Sequence, residues 1–287
     1  MAVVSVQDLL EAGVHYGHNV SRCNPKMKEF IYGKRNKIHI IDLRKTIECL
    51  IRAYYAVVDV ASHPNAKILF VGTKKQAQDS IRSAAEKCGM PFVAERWLGG
   101  TLTNLETIRK RIARYRQLEA IDFEDTTQYS KKEISSLKRE FAKIRRNLAG
   151  IVELDKVPDL LIVVDTRKEN IAIAEARKLN IPVVALMDTD CDPDDALFPI
   201  PCNDDAIRSV RLIIDRLADA VRDGQKKSLD RQIYSRATTP EAAPAQGAGE
   251  GRDDRGGQRP QRRRRPGPRP AASASPNDTP NEKPSQD

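Results

Sequence analysis

The chain has 287 residues, a formal net charge of +9, 40% hydrophobic residues and 31% charged residues. From Ser235 to Asp287 it contains no Val, Leu, Ile, Met, Cys or aromatic residue. Such a segment cannot bury a core against its ordering entropy, so residues 235–287 are predicted to be a disordered tail rich in Arg, Pro and Gly. The basic excess favours a polyanionic partner, nucleic acid or an anionic membrane surface, although many ordinary enzymes are equally basic.

The longest apolar runs are too short for a membrane span, and the first residues lack the pattern of a secretory signal or a transit peptide. The five cysteines are scattered, odd in number and never in a C-x-x-C pair, which indicates free thiols in a reducing compartment. We therefore expect a cytoplasmic protein with no membrane partner.

The first elements in chain order are a hairpin and a helix. The hairpin is predicted over 29–32 and 37–41, with a turn through 33–36. Asp42 can cap the following helix, in which apolar residues recur every three or four positions from Ile47 to Val58.

Three apolar runs of strand length follow, at 67–71, 159–165 and 181–187. Helices are predicted over 76–88 and 169–179, and a last helix runs from Asp204 to Gly224. Near-continuous apolar strands that alternate with helices are typical of a parallel sheet covered on both faces. The predicted fold class is α/β, a doubly wound sheet formed by residues 1–100 and 151–234.

Residues 101–150 interrupt this alternation. Apolar residues from Ile134 to Ile151 follow a heptad pattern, and Leu105 to Tyr115 follow the same spacing. We predict an inserted antiparallel helical hairpin of the coiled-coil type, with the polar stretch 122–130 as its connection. Two ordinary amphipathic helices would give a similar pattern.

Two strand ends carry residues that resemble enzyme motifs. Gly72-Thr-Lys-Lys precedes a helix but lacks the spacing of a phosphate loop, so Lys74 and Lys75 are interpreted as contacts for an external phosphate. The acidic run Asp188–Asp195 could present Asp188 and Asp190 to Mg²⁺ for phosphoryl transfer, but its partners are missing and an Asp-rich turn is the simpler interpretation.

His15 and His18, with Cys23 beyond them, lack further ligands at a familiar zinc spacing, so no metal site is predicted. No serine, cysteine or threonine lies in a recognisable nucleophile motif. The sequence therefore predicts a protein that is not an enzyme, with no cofactor and no small-molecule substrate.

Basic residues gather instead in the loops and on the predicted hairpin. Trp97, followed by two glycines, is either an anchor in the core or a platform for base stacking. The Arg262–Arg265 run in the tail is either a polyanion-binding or a solubilising segment. The candidate RNA-binding residues are basic positions in the predicted loops and on the predicted hairpin, together with Trp97: Lys26, Lys28, Lys34, Arg35, Lys37, Lys74, Lys75, Arg96, Trp97, Arg109, Arg111, Lys138 and Arg145.

Several blocks of the sequence are similar to the bacterial ribosomal protein S2 family, over about residues 2–224. The blocks that carry the resemblance are Gly13-Val-His-Tyr-Gly-His18, Asn24-Pro-Lys-Met27, Ile31-Tyr-Gly-Lys-Arg-Asn36, Phe70-Val-Gly-Thr-Lys-Lys-Gln-Ala77, Arg96-Trp-Leu-Gly-Gly-Thr-Leu-Thr-Asn104 and Ile200-Pro-Cys-Asn-Asp-Asp-Ala-Ile-Arg-Ser209. The family pattern usually has Trp at position 23 and Gly at position 202, where this chain has Cys.

The resemblance implies a flavodoxin-like or Rossmann-like sheet of about five parallel strands that carries a protruding coiled-coil hairpin. It also implies a structural role in translation, with binding to small-subunit ribosomal RNA and to other small-subunit proteins. One implied partner is the messenger-binding ribosomal protein S1, which the family helps to dock. The expected location is the cytoplasmic ribosome.

Overall fold

The computed structural model describes residues 4–121 and 130–238, with side chains described as far as Arg231. The helices are α1 Val6–Glu11, α2 Leu43–Ala61, α3 Lys75–Cys88, α4 Leu105–Glu119, α5 Lys131–Leu148, α6 Asn170–Lys178 and α7 Ile207–Thr238. The strands are β1 Tyr16–Asn19, β2 Ile31–Arg35, β3 Ile38–Ile41, β4 Ile68–Val71, β5 Phe92–Val93, β6 Leu160–Val164, β7 Val183–Met187 and β8 Phe198–Pro201.

The central feature is a parallel sheet of five strands in the order β5-β4-β6-β7-β8. Every residue of β4, β6 and β7 is buried, as expected for strands covered on both faces. This strand order is the flavodoxin-like one. The order in which strands are added to the sheet reverses between its first strand in the chain, β4, and its third, β6. The predicted doubly wound α/β fold is confirmed.

Two apolar cores lie on the two faces of the sheet because successive side chains of a strand point to opposite faces. Ile68 and Phe70 of β4 join the core that contains α2, α3 and α7. Leu69 and Val71 join the core that contains α4 and α6. Helices therefore cover both faces.

The two outer strands of this sheet, β5 and β8, were not predicted from the sequence. β5 has only two residues, and β8 reads Phe-Pro-Ile-Pro. Proline lacks the N–H of a ladder hydrogen bond and is tolerated at a sheet edge, which is where β8 lies.

The N-terminal region forms a separate antiparallel sheet in the order β1-β3-β2. The predicted hairpin corresponds to β2 and β3, with a tighter turn than expected at Asn36 and Lys37. β1 was not predicted, because Tyr16–Asn19 has neither an apolar run nor a regular alternation.

The helices α4 and α5 pack against each other through the predicted apolar positions. Ile108, Ile112 and Tyr115 of α4 are buried, and Tyr115 stacks on Phe141 of α5 with ring centroids 5.5 Å apart. The connection at 122–129 and the tail at 239–287 lie outside the described residues. The boundaries of an inserted domain at 101–150 and of a tail from 235 therefore stay predictions.

The predicted end of the last helix at Gly224 is wrong, because α7 continues to Thr238. Gly224 lies where α7 crosses α2, and a Cβ atom there would be 2.5 Å from Cβ of Ala61 and 2.6 Å from the carbonyl oxygen of Val58. The glycine permits close helix packing and does not end the helix. None of the helices in the described ranges is long and apolar enough to span a bilayer.

Candidate nucleic-acid interface

The turn between β2 and β3 presents three exposed basic residues. Arg35 pairs with Ile38, so the loop consists of Asn36 and Lys37, whose φ angles of 50° and 63° are both left-handed. Such two-residue turns match the twist of a hairpin. Lys34, Arg35 and Lys37 make no ion pair with any described residue, and their charges are available to an external anion.

An exposed aromatic residue lies beside this turn and was not predicted as a site residue. Tyr32 is 81% exposed, although large aromatic side chains are usually at least partly buried. An exposed ring next to basic residues can stack on an unpaired base. Tyr32 lies between the half-buried Ile31 and Gly33, where the pairing register of β2 with β3 shifts.

The helices α4 and α5 contribute the second basic surface. Arg109, Arg111 and Arg145 are exposed and form no ion pair within the described residues. Lys138 is exposed as well. Arg114, in contrast, pairs with Glu140 across the two helices, with a nitrogen–oxygen distance of 3.2 Å.

Lys26 is exposed but pairs with acidic residues of the chain itself. Its ammonium lies 2.8 Å from Asp192 and 2.5 Å from Asp194, and these carboxylates raise its pKa. A phosphate would have to displace them. The environment argues against the predicted role of Lys26 as a phosphate contact. Lys28 is exposed and forms no ion pair with a described residue.

Lys74, like Lys26, pairs with acidic residues of the chain itself. Its side chain is only 13% exposed, and its ammonium lies 2.9 Å from Asp204, 2.6 Å from Asp205 and 4.0 Å from Asp165. The charge is neutralised inside the protein, which argues against the predicted role of Lys74 as a contact for an external phosphate. Lys75, the next residue, is exposed at the start of α3.

The crevice between the ends of β4 and β6 is where a flavodoxin-like sheet usually binds its ligand. In this chain the backbone N–H of Thr73 donates to the carboxylate of Glu169 over 2.9 Å. Lys168 also binds the carbonyl oxygen of Thr73. Groups that would cradle a phosphate are thus already bonded within the protein.

Trp97 is an anchor in the core. It is 7% exposed, and its indole N–H donates to Glu175 over 3.1 Å. The same buried carboxylate accepts backbone N–H groups from Gly100, Leu102 and Thr103. This geometry favours the first of the two predicted roles of Trp97, while Arg96 beside it is exposed.

The acidic run after β7 is used in contacts within the protein. Asp190 pairs with Arg167 over 3.0 Å, and Asp195 pairs with Arg177 over 3.1 Å. Asp192 accepts the backbone N–H of Asp194 at the start of a short 3₁₀ turn. These contacts are those of an Asp-rich turn, the simpler interpretation of the sequence.

A cluster of titratable groups lies at the ends of β7 and β8, against β1. Nδ1 of His18 is 2.7 Å from Asp188, and Nε2 is 3.4 Å from Asp205. The adjacent Asp188 carboxylate is the main cause that raises the pKa of His18 to about 9. Burial raises the pKa of Asp204 to about 7, despite its contact with Lys74.

The chain is similar to known proteins over most of its length. Residues 9–224 match the family described as Ribosomal protein S2. A small ribosomal subunit protein uS2 of Thermobifida fusca is 54% identical over 224 residues, which cover 77% of this chain and 76% of the relative. The protein of the same name from Pseudarthrobacter chlorophenolicus is 54% identical over 78% of this chain and 77% of the relative. That from Beutenbergia cavernae is 53% identical over 78% of this chain, and the match spans 64% of the relative.

Proposed function

Because the chain belongs to the ribosomal protein S2 family, we propose that it is a structural component of the small ribosomal subunit that binds small-subunit ribosomal RNA. In this role it acts in translation on cytoplasmic ribosomes and catalyses no reaction. The names of its relatives support assembly into the small subunit.

The observation that most strongly supports RNA binding is a set of exposed basic residues that form no ion pair with any residue that the structure describes. Most of them lie at the β2–β3 turn and on α4 and α5, and electrostatic contacts to phosphate supply much of the affinity of such proteins. Tyr32 joins the set, whereas Lys26, Lys74 and Trp97 leave it. The proposed interface comprises Lys28, Tyr32, Lys34, Arg35, Lys37, Lys75, Arg96, Arg109, Arg111 and Arg145. Lys138 is included for its exposed position on α5 alone.

The rival function, magnesium-dependent phosphoryl transfer by Asp188 and Asp190, has less support. Asp188 is 1% exposed and accepts the backbone N–H groups of His18 and Thr189, so one of its oxygens is occupied. Asp190 is held by Arg167. A nucleophilic carboxylate must reach its substrate, and neither residue is placed to do so.

Docking of ribosomal protein S1 is the finer part of the proposal. It comes from the resemblance to the family. Small subunits that lack this chain should lose S1, and adding the purified chain back should restore it. Subunits that retain S1 without the chain would contradict this part and leave RNA binding intact.

The RNA-binding proposal is tested by neutralising the β2–β3 turn with Lys34→Gln, Arg35→Gln and Lys37→Gln together. We expect weaker binding to small-subunit RNA and a shallower salt dependence, with the slope of log K against log salt reduced by about two units. Filter binding at several salt concentrations measures both quantities.

The matched control removes three charges that are paired within the protein, through Lys87→Gln, Lys110→Gln and Lys156→Gln. These ammonium groups lie 2.7–2.9 Å from Asp215, Glu106 and Asp159. The control has the same net charge as the turn variant and should keep nearly the full slope. If both variants bind RNA equally, the turn is only a solvated surface.

A further inference from the structure

Two connections join α4 and α5 to the parallel sheet. The first connection, residues 94–104, runs from the end of β5 to the start of α4. The second connection, residues 149–159, runs from the end of α5 to the start of β6. The direction of these two helices relative to the sheet therefore depends on how firmly the two connections are held.

The first connection is tied to α6. Glu175 of α6 is 6% exposed, and its carboxylate accepts the backbone N–H groups of Gly100, Leu102 and Thr103 over 2.8–3.1 Å. Ala172 of the same helix is fully buried in the core on that face of the sheet. The start of α4 is therefore bonded to an element that is itself packed on the sheet.

The second connection passes close to the outer edge of the sheet. The carbonyl oxygens of Pro91 and Val93 accept N–H groups of β4, so the carbonyl of Phe92 between them points away from β4. Gly150 lies against this carbonyl. A Cβ atom at Gly150 would overlap the oxygen and would lie 2.8 Å from Cδ2 of the Phe92 ring. Because glycine has no Cβ atom, it lets the chain leave α5 this close to β5.

Buried apolar side chains hold the second connection on both sides of Gly150. Leu148, Ile151 and Leu154 are at most 3% exposed and lie in the same core as Leu69 of β4. Side chains in such a core are close-packed. The second connection is therefore held in one position against the sheet.

Basic residues of α4 and α5 lie near these two anchored ends. Arg109 is within about one turn of the start of α4 at Leu105, and Arg145 is within about one turn of the end of α5 at Leu148. Both arginines are exposed, and neither forms an ion pair with a residue in the described ranges. The direction of the two helices decides where these charges lie.

We propose that Glu175 and Gly150 are positioning residues for RNA binding. They hold α4 and α5 at one angle to the sheet, so that the basic residues of these helices and those of the β2–β3 turn contact one RNA molecule at the same time. Two surfaces on a rigid frame bind one ligand more tightly than two surfaces that move independently, because the second contact forms at a high effective concentration. This inference rests on the RNA-binding function proposed above.

Gly150→Ala in the full-length chain tests the proposal. The added methyl group must push the second connection away from Phe92, which changes the direction of α5. We expect the affinity for small-subunit RNA to fall about tenfold in filter binding at a temperature well below the unfolding midpoint. An affinity equal to that of the natural chain would contradict the proposal.

Gly224→Ala is the matched control. It is the same substitution at a glycine that is also crowded, but the methyl group there meets Val58 and Ala61 of α2 and not the two connections. We expect this variant to be less stable and to bind RNA like the natural chain. A chain that is merely destabilised would lose RNA affinity in both variants, so equal losses would overturn the proposal.

A double-mutant cycle separates positioning from stability. In the natural chain, replacing Lys34, Arg35 and Lys37 with Gln removes one of two contacts that act together. In the Gly150→Ala background the same three substitutions should weaken RNA binding by a smaller factor, because the two contacts no longer form together. The same factor in both backgrounds would contradict simultaneous contact.

Distances between spin labels report the direction of α5 in the absence of RNA. The labels are placed at Ser136→Cys of α5 and Ser83→Cys of α3, both exposed positions, in a chain with Cys23→Ser, because the other four cysteines are buried. Pulsed electron paramagnetic resonance should give one narrow distance distribution for this chain and for its Gly224→Ala variant. Gly150→Ala should shift or broaden the distribution, and an unchanged distribution would overturn the proposal.

Glu175→Gln tests the first connection and covers the case in which Gly150→Ala does not fold. It should both alter the distance distribution and weaken RNA binding. A natural chain that binds no RNA overturns the proposed function and this inference with it. RNA binding that survives an altered distance distribution overturns this inference alone.

Discussion

Glu175 shows how one buried carboxylate positions the start of α4. Its two oxygens accept from the Trp97 indole, from three backbone N–H groups and from the Thr103 hydroxyl. All of these donors lie in the loop that precedes α4. Because a carboxylate on one element gathers five donors from another, it fixes the direction in which the helix leaves the sheet.

Glu175→Gln is expected to lower the free energy of unfolding by about 2–3 kcal/mol, because hydrogen bonds to a charged acceptor are worth more than neutral ones. The side-chain amide of glutamine would also place its own N–H groups against the N–H and O–H groups that donate to the carboxylate of Glu175. Urea unfolding followed by circular dichroism measures the change. Glu106→Gln, which alters an exposed pair with Lys110, should cost less than about 0.5 kcal/mol, and equal losses in the two variants would contradict the role of Glu175.

The pH dependence of stability provides a second test of Glu175. Burial acts to raise its pKa, but the backbone N–H groups of Gly100, Leu102 and Thr103 outweigh burial, so the pKa is lowered. A lowered pKa in the folded state gives stability that is present above the unfolded value of about 4.3 and is lost below it. The stability difference between the natural chain and Glu175→Gln should therefore shrink as the pH falls from about 6 to about 3. A difference that is constant with pH would refute this.

At the scale of elements, periodicity in the sequence was sufficient to predict the buried strands and most helices. β4, β6 and β7 are apolar throughout, and Asp42 caps α2 through the backbone N–H of Arg44. Edge strands such as β8 gave no such signal. Gly224 was misread as a helix end, because sequence alone does not show that α2 crosses α7 at that position.

Gly224→Ala tests the close approach of α2 and α7. Alanine in a helix is intrinsically better than glycine by about 1 kcal/mol, so an unpacked site would be stabilised. At Gly224 the added methyl would meet the Val58 carbonyl, and we expect a net destabilisation of about 1–3 kcal/mol.

The thermal unfolding midpoint should therefore fall for Gly224→Ala. Lys227→Ala, at an exposed position of the same helix, should change it little. A rise in the midpoint for Gly224→Ala would mean that the two helices have room to separate.

At the scale of the whole molecule, the sequence indicated the fold class and the basic character of the surface but not which charges are free. Lys74 and Lys75 are neighbours with similar surroundings in sequence, yet Lys74 is enclosed by three aspartates from distant segments. Lys26 is likewise paired with Asp192 and Asp194. In both cases the partners lie more than ninety positions away in the sequence, so no local pattern reveals these contacts.

The fold is compatible with a purely structural role. The ligand crevice of a flavodoxin-like sheet is filled here by internal hydrogen bonds and ion pairs, while exposed basic residues lie on the hairpin turn and on α4 and α5. We propose that these outer charges attach the chain to the RNA of the small subunit.

Sedimentation of a cell lysate through a sucrose gradient tests this claim most directly, with the chain followed by an antibody. We predict that the chain sediments with small subunits and translating ribosomes, and that neutralising Lys34, Arg35, Lys37, Arg109, Arg111 and Arg145 together moves it towards the top of the gradient. A natural chain found only in the free fractions would contradict the account.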